Sequence, residues 1–369
     1  MNSLGTRKHK IVMISVNDTQ TPTSGGEYTY RVIKDESLRQ GYQVQEVSVP
    51  ILLRSLLGSK SDEAPTQNVI RSLLYFRCLF ESLDRRWQRG CLVITSSSPL
   101  FPVFGHLVYH QPKTGICCTM GREYLSLYER LGMLIHENEN LSPVWLFAKR
   151  SHILHLSNSY FTKGLISDLY GLESLVLYPP VSIPCRHSIS SGKERVPGVI
   201  IVRPRAISGI TFLPRIIDEL PKTVKFVVIG KADAVGMEVF RFLRSKGVDI
   251  KYLGYVSESM KLDLFTRFSH YLHLGLNESF GITVVEAMAA GCIPVAPKSG
   301  AIPEYVPKDL LYSNHQEASQ KISSQIGLGD SDLEMELKNI AKRFDEKKFR
   351  RGIAAYINML DTKDLQHIN

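Results

Sequence analysis

The sequence predicts an α/β protein built as two similar lobes, each a parallel sheet covered on both faces by helices. Three observations carry this reading. The chain has 369 residues, enough for two cores at roughly 100–200 residues per domain. Short β-rich apolar runs alternate with helix-period segments through both halves, the pattern of βαβ units. The alternation is broken once, by residues 179–198 (PPVSIPCRHSISSGKERVPG), rich in Pro, Ser, Gly and charge and lacking periodicity, which read as a linker.

Each element has its own warrant. Residues 11–16 (IVMISV) are continuously apolar, as a strand buried on both faces should be. After the loop NDTQTPTSGG, a helix pattern runs over 27–40 and stops at Gly41. Residues 42–49 (YQVQEVSV) alternate as a second strand, and further strands are expected at 91–95, 107–110, 153–156 and 174–177. A second series then begins with a strand at 199–203, a helix over 209–219, a strand at 224–229 and a helix over 233–246. It continues with a strand at 249–253, a helix over 257–267, a strand at 270–274, a helix over 281–290 and a strand at 292–296. A last helix pattern covers 349–360 (FRRGIAAYINML). The expected domains are therefore 1–190 and 191–346, with 347–369 a terminal helix packing back towards the first lobe.

Composition narrows the functional classes. With 43% hydrophobic and 22% charged residues, the chain is neither disordered, collagenous nor a disulfide scaffold. No apolar run approaches the roughly 18–20 residues that span a bilayer. The N-terminus, MNSLGTRKHK, is not followed by an apolar h-region with a cleavage site, so no signal peptide is expected. Six cysteines (Cys78, Cys91, Cys117, Cys118, Cys185, Cys292) form no C-x-x-C pair, which points to a reducing, cytoplasmic setting. The net charge of +9 is spread as +5 over residues 1–190 and +4 over the rest. Neither half holds the concentrated basic tract of a nucleic-acid arm, so no nucleic-acid partner is expected. Phosphorylated small ligands and anionic membrane surfaces remain as partners.

The stretch 271–306 (YLHLGLNESFGITVVEAMAAGCIPVAPKSGAIPEYV) carries the chemistry. Gly281 and the run Ile282–Ala290 read as a short helix closed by Gly291, with Pro294 just beyond. Glu278 then stands on the loop before that helix and Glu286 about a turn and a half inside it. The amides of Ser279, Phe280 and Gly281 lie at the helix N-terminus, where unpaired N–H groups and the helix dipole favour an anion. Carboxylates accept hydrogen bonds from vicinal hydroxyls. One site thus offers amides for a pyrophosphate and two carboxylates for sugar and ribose hydroxyls, which is what a nucleotide-sugar requires. The bland alternative makes Glu286 a solvated-face residue. It is disfavoured because Glu286 stands among Val284, Val285, Ala287 and Met288, where a carboxylate needs a partner.

Glu278-Ser-Phe-Gly-Ile-Thr-Val-Val-Glu286, followed by AMAAGCIPV, resembles the E-x7-E signature of the retaining GT-B glycosyltransferases, in the large GT4-like family (glycosyl transferases group 1). Ser299-Gly-Ala-Ile-Pro-Glu304 resembles that family's following G-G-x-P-E loop. The resemblance implies two Rossmann-like lobes with parallel sheets facing across a cleft, the acceptor on the N-terminal side and the nucleotide-sugar donor on the C-terminal side. It implies that Glu278 contacts donor-sugar hydroxyls, with the amides of Phe280 and Gly281 nearby, and that Glu286 holds the ribose hydroxyls. Gly25-Gly26 resembles the family's N-terminal glycine pair near the donor phosphate, and two glycines do let backbone approach a phosphate at a helix start. His110, at the end of strand 107–110, resembles the active-site histidine, with His106 a weaker rival and a satisfied strand-end histidine the bland reading. Arg203 matches the first cation of the family's R-x4-K-G, but the lysine is replaced by Ser208. That pair stabilises charge developing on the leaving diphosphate. Arg205 or Lys231 is expected to supply the missing charge; otherwise catalysis is slow or absent. A second departure, Leu274-Gly275 in place of the usual Pro-Ser, touches loop shape more than charge.

The implied activity is transfer of a hexose-type sugar from a UDP- or GDP-linked donor to an acceptor hydroxyl, on a glycan or lipid-linked acceptor, with retained configuration. No covalent nucleophile stands out, which favours front-face attack assisted by the diphosphate. No cofactor is expected, and with no His/Asp/Glu cluster at metal spacing no metal either. Tyr178-Pro-Pro-Val181 resembles a stretch of the mannosyltransferases that build lipid-linked oligosaccharides, a pointer to GDP-mannose. The alternatives are a nucleotide-sugar-binding protein without turnover, motivated by Ser208, and a GT-B sugar-nucleotide epimerase. A Rossmann dehydrogenase is disfavoured because strand 11–16 is not followed by G-x-G-x-x-G.

Residues 66–90 place Val69, Leu73, Phe76, Phe80, Leu83 and Trp87 at helical spacing beside five arginines, for a net +3. This reads either as a core helix with a solvated basic face or as a peripheral contact with anionic lipid at the cytoplasmic membrane face. Leu52–Leu57 with Lys60 is a second such segment. Three N-x-S/T sequons occur, at Asn17, Asn140 and Asn277. A glycan on Asn277 would block Glu278, so a compartment without N-glycosylation at this face is expected.

Overall fold

The computed structural model describes residues 10–15, 25–48, 91–97, 106–111, 153–183, 195–326 and 330–366. The chain divides into two units, Met1–Pro180 with Lys347–Asn369, and Val181–Glu346. The segments 66–90 and 52–60, the vicinal Cys117-Cys118 pair and the sequons at Asn17 and Asn140 lie outside the described residues.

The first unit is an all-parallel sheet of β1 (Lys10–Ser15), β2 (Gln43–Ser48), β3 (Cys91–Ser97), β4 (Leu107–His110), β5 (Leu154–Ser157) and β6 (Leu175–Val176), in the order β2-β1-β3-β4-β5-β6. β1 pairs with β2 on one side and β3 on the other, which explains its unbroken apolar sequence. Helix α1 (Gly25–Arg39) follows β1 and ends before Gly41, held at φ +86°. Tyr30 on α1 hydrogen-bonds the carbonyls of Ile14 (2.9 Å) and Ile94 (2.7 Å), fixing the helix to two strands at once. Helix α2 (Tyr160–Tyr170), capped by Ser159, has no counterpart among the sequence expectations.

The terminal helix belongs to this unit. Its Phe349, Ile353 and Ile357 are buried in the same core as Ile11, Met13, Ile33, Leu92 and Tyr109. Tyr42 donates to Asp361 at 3.0 Å, and Arg350 lies 3.6 Å from the buried Glu36 carboxylate.

The second unit repeats the plan. Its parallel strands are β7 (Val196–Val202), β8 (Lys225–Ile229), β9 (Ile250–Gly254), β10 (Phe268–Leu272), β11 (Ile293–Pro297) and β12 (Leu311–Tyr312), ordered β12-β11-β10-β7-β8-β9. Its helices are α3 (Leu213–Asp218), α4 (Ala234–Ser245), α5 (Glu258–Arg267), α6 (Ile282–Ala289), α7 (His315–Gln325) and α8 (Ser331–Ala341); the terminal helix, Glu346–Gln366, is α9. Val181 is tied into this unit by its N–H to the Phe344 carbonyl at 2.9 Å.

Three differences from the sequence expectations have local causes. β7 starts at Val196, inside the stretch read as linker, because Gly198 lies close enough to Lys225 and Phe268 to pair there. The helix expected over 209–219 is broken into two 3-10 turns (206–208 and 210–212) and the short α3, since Gly209 is left-handed at φ +78° and Pro214 starts a new helix. β10 spans 268–272 rather than 270–274, which releases His273 and Leu274 into the loop beyond the strand.

A candidate nucleotide-sugar site at the switch point of the second sheet

In the second sheet β7 lies between β10 and β8, so the chain winds away in opposite directions from the β10/β7 pair. Loops at the carboxyl ends of two such strands splay apart and leave a crevice where α/β sheets bind ligands. Arg203 follows β7, and the loop from His273 to Gly281 follows β10.

Arg203 and Glu278 meet there. Arg203 Nη2 donates to Glu278 Oε2 at 3.3 Å, between a guanidinium side chain 47% exposed and a carboxylate side chain 10% exposed. The Glu278 charge raises the Arg203 pKa, so the guanidinium stays charged. Arg203 is left-handed at φ +58° and Asn277 at +52°, the two non-glycine residues with positive φ among those described. The first is a member of the ion pair and the second directly precedes its other member. Such conformations cost on the order of 1–3 kcal/mol and persist where the surroundings over-determine them.

The surroundings do so from three directions. Ser299 Oγ accepts from the Asn277 N–H (3.0 Å), donates to its Oδ1 (2.9 Å), and the Ala301 N–H bonds the Glu278 carbonyl at 2.9 Å. Between them, Gly300 (φ +64°) sits so close that a Cβ would come within 2.4 Å of the Glu278 carbonyl. The resemblance over 299–304 therefore has a physical content: this loop clamps Glu278. On the β7 side, Asp233 caps α4 through Oδ1 to the Gly236 N–H (2.8 Å) and holds the Ala206 N–H through Oδ2 (2.9 Å). The Arg203 N–H bonds the Ile229 carbonyl at 3.0 Å.

The expected alternatives to the missing lysine lie together. Arg205 Nε donates to the Lys231 carbonyl at 3.2 Å, and both residues are exposed. Ser208 ends the first 3-10 turn beside Gly209, which packs against the Leu274 carbonyl.

Helix α6 is preceded by Gly281 at its N-cap position, left-handed at φ +87°, with no side chain capping its N-terminus. Tyr305 donates to the Phe280 carbonyl and lies 3.3 Å from that of Gly281. Because a trans peptide points its N–H opposite its C=O, the amides of Gly281 and Ile282 face away from Tyr305. Phe280 anchors the turn by packing against Tyr305 and Phe344. Glu278, Ser279 and Glu286 are all buried, at 8%, 9% and 5% exposure.

The partner that Glu286 requires is Lys261 on α5, whose Nζ lies 2.8 Å from Oε2 and also 2.6 Å from Glu258. Burial raises the Glu286 pKa and Lys261 opposes it. For Lys261, burial pulls downward, but Glu286 and Glu258 outweigh it and leave the ammonium charged. Sequence reasoning named neither Lys261 nor His273. The need of Glu286 for a cation was the available signal for the first; His273 was hidden inside an apolar run read as strand.

In the first unit, Gly25 and Gly26 open α1, and Gln111 Nε2 donates to the Gly26 carbonyl at 3.0 Å. His110 precedes Gln111 and is 1% exposed, its Nε2 2.9 Å from His155 Nδ1 and the two rings stacked. Burial holds His110 well below the ordinary imidazole pKa, and His155 adds to this. The rival His106 accepts the Val93 N–H on Nδ1. Thus Arg203, Glu278, Ser279, Phe280, Gly281 and Glu286 lie within one unit with Arg205 and Lys231, and Gly25, Gly26 and His110 within the other.

Residues 202–326 match the family model of glycosyl transferases group 1. The chain is 28% identical over 275 residues to a Dictyostelium discoideum GDP-Man:Man(3)GlcNAc(2)-PP-Dol alpha-1,2-mannosyltransferase, covering 66% of this chain and 54% of that protein. It is 32% identical over 102 residues to the gpi3 subunit of phosphatidylinositol N-acetylglucosaminyltransferase from Schizosaccharomyces pombe, covering 27% of this chain and 22% of that protein. The chain thus spans about half or less of the length of these curated relatives. Among solved structures, sucrose-phosphate synthase from Thermosynechococcus elongatus is similar with a TM-score of 0.72 at 12% identity, covering 96% of this chain and all of that one. Anabaena HepE, solved with UDP and glucose, gives 0.60 at 16% identity, covering 95% of this chain and all of that one. With the E-x7-E run inside the matched region and two parallel six-stranded sheets behind it, the chain has the GT-B fold, and its second unit carries the match to glycosyl transferases group 1.

Proposed function

We propose that this chain transfers a hexose-type sugar from a nucleoside diphosphate sugar to an acceptor hydroxyl on a glycan or lipid-linked glycan, with retention of configuration. The observation that carries the reading is the Arg203–Glu278 pair at the β10/β7 switch point, with Glu286 eight residues on. A guanidinium there meets a diphosphate, the uncapped N-terminus of α6 adds amide donors, and the two carboxylates accept from sugar and ribose hydroxyls. Arg205 and Lys231 supply the second positive charge that Ser208 does not. Charge growing on the departing diphosphate is then met by fixed cations and amides, which is where electrostatic catalysis acts. Front-face attack, with the diphosphate accepting the acceptor proton, needs no protein nucleophile. On the resemblance alone, His110 and the Gly25-Gly26 turn are the first unit's candidates for a part in the reaction.

The names of the relatives support the donor and acceptor classes. One uses GDP-mannose on a dolichol-linked glycan and the other belongs to a phosphatidylinositol N-acetylglucosaminyltransferase. We take a membrane-borne acceptor, reached peripherally from the cytoplasmic face, as part of the proposal. No helix among the described residues is long and apolar enough to cross a membrane.

A second reading, binding without turnover, is favoured by Ser208. Incubating the full chain with UDP-, GDP- and ADP-sugars and glycan-lipid acceptors, while following nucleoside diphosphate release and the anomeric configuration of product by NMR, separates the two. Release with an α-configured product from an α-donor supports transfer with retention; saturable binding without release supports the second reading.

A further inference from the structure

The loop that holds Glu278 contains a buried imidazole that the proposed reaction leaves unused. His273 is 5% exposed, directly after β10, and Tyr271 Oη lies 2.8 Å from its Nδ1. Its Nε2 lies 3.7 Å from Glu278 Oε2, the oxygen that Arg203 also holds, with the backbone of Gly275 as its other polar neighbour. Gly275 leaves room for this approach, since a Cβ there would stand 3.3 Å from His273 Nε2 and 3.6 Å from Glu278 Oε2. The remainder of the ring's frame is fixed: the His273 N–H bonds the Val295 carbonyl at 2.9 Å, and Tyr312 donates to the His273 carbonyl at 2.7 Å.

Electrostatics assigns the tautomer. A lone pair on Nε2 would face the Glu278 carboxylate, whereas a proton there is attracted to it. With the proton on Nε2, Nδ1 is an acceptor and the buried Tyr271 hydroxyl has a place to donate. Burial keeps both groups neutral: it lowers the His273 pKa to about 4 and raises that of Tyr271. The imidazole therefore points an N–H at Glu278 without adding a cation beside Arg203.

We infer that His273 is a positioning residue of the donor site, whose Nε2–H, set by Tyr271, closes on Glu278 Oε2 and fixes how that carboxylate meets the donor sugar. The inference rests on the proposed function, because it concerns the sugar and not the nucleotide. Its signature is a split between the two: losing the N–H weakens the nucleotide-sugar and spares the nucleoside diphosphate, which touches Arg203 and the amides instead.

The test is calorimetric titration of the full chain with GDP-mannose against GDP and UDP-glucose against UDP. His273→Leu is expected to weaken the sugar-bearing ligand about tenfold, the equivalent of one hydrogen bond, and the diphosphate less than about twofold. His273→Gln, which carries an N–H near the place of Nε2, is expected to recover most of that loss. Tyr271→Phe keeps the aromatic packing and is expected to show the same selective loss, so it carries the test if His273→Leu does not fold. Equal weakening of both ligands, or no weakening, overturns the role of His273 while the proposed function stands. A wild-type chain that binds none of these sugars overturns the proposed function and this role with it.

Discussion

Lys261 Nζ on α5 lies 2.8 Å from Glu286 Oε2 on α6, with the two side chains 13% and 7% exposed. The pair joins two helices that share no sequence motif, and it makes an ionised carboxylate tolerable among Val284, Val285, Ala287 and Met288.

Removing the cation should therefore expose what the pair does. Lys261→Met leaves Glu286 buried without a partner and is expected to lower unfolding stability by about 3 kcal/mol at neutral pH. The loss should shrink as the pH falls and Glu286 takes up a proton. The double variant Lys261→Met/Glu286→Gln is expected to regain stability in urea melts but not nucleotide affinity. Recovery of both would mean that Glu286 serves packing alone.

Glu278 and Arg203 are expected to act on turnover and not on folding, because their pair is half exposed and such pairs contribute roughly 0–1 kcal/mol to stability. Arg203→Ala should lower kcat about 100-fold or more, as the loss of one preorganised donor to a developing negative charge does. Glu278→Ala should lower kcat/KM for the donor with the melting temperature unchanged. If nucleoside diphosphate release proceeds at the wild-type rate in Glu278→Ala, the site assignment is wrong.

Much of this was legible in the sequence. Gly281, Gly291 and Pro294 bracket an eight-residue helix, so its start and stop could be read, and with them the depth of Glu286. The alternating apolar runs gave both sheets because buried parallel strands are continuous in hydrophobicity. The illegible parts are those that depend on contacts distant in sequence. Lys261 sits in an ordinary helix pattern until α5 is laid against α6. His273 reads as strand because YLHL is apolar and β-prone, and the strand stops at Leu272 only through its pairing with Ile201 and Val295. Helices α7 and α8, polar over most of their surface, show no pattern strong enough to announce them.

The charge that Ser208 withholds is expected to come from the neighbouring turn. Arg205→Ala and Lys231→Ala should each weaken nucleoside diphosphate binding about tenfold, with the double variant losing much of the dependence on ionic strength. Ser208→Lys, restoring the R-x4-K spacing in the chain, should raise kcat and make the Lys231→Ala change milder. A Ser208→Lys protein no faster than wild type, together with an unaffected Lys231→Ala, would show that neither position faces the diphosphate.

Glu36 links the terminal helix to α1 of the first unit, and its titration should be visible as acid sensitivity. Its buried carboxylate accepts from Arg39 at 2.6 and 2.8 Å and from Gln40 at 3.1 Å, and Arg350 of α9 lies 3.6 Å away. The Arg39 hydrogen bonds lower its pKa in the folded state, with Gln40 and Arg350 adding to them against the opposing effect of burial. A folded-state pKa below the unfolded one makes the contribution fully present above about pH 4.3, the ordinary glutamate value, and lost as the pH falls through the folded value. Glu36→Gln is therefore expected to be less stable than wild type by about 1 kcal/mol at pH 7. The gap should close in the acid limb, where the wild-type carboxyl is also uncharged. Paired urea melts between pH 7 and pH 3 check this, and a gap that stays constant across the range would remove Glu36 from the acid response.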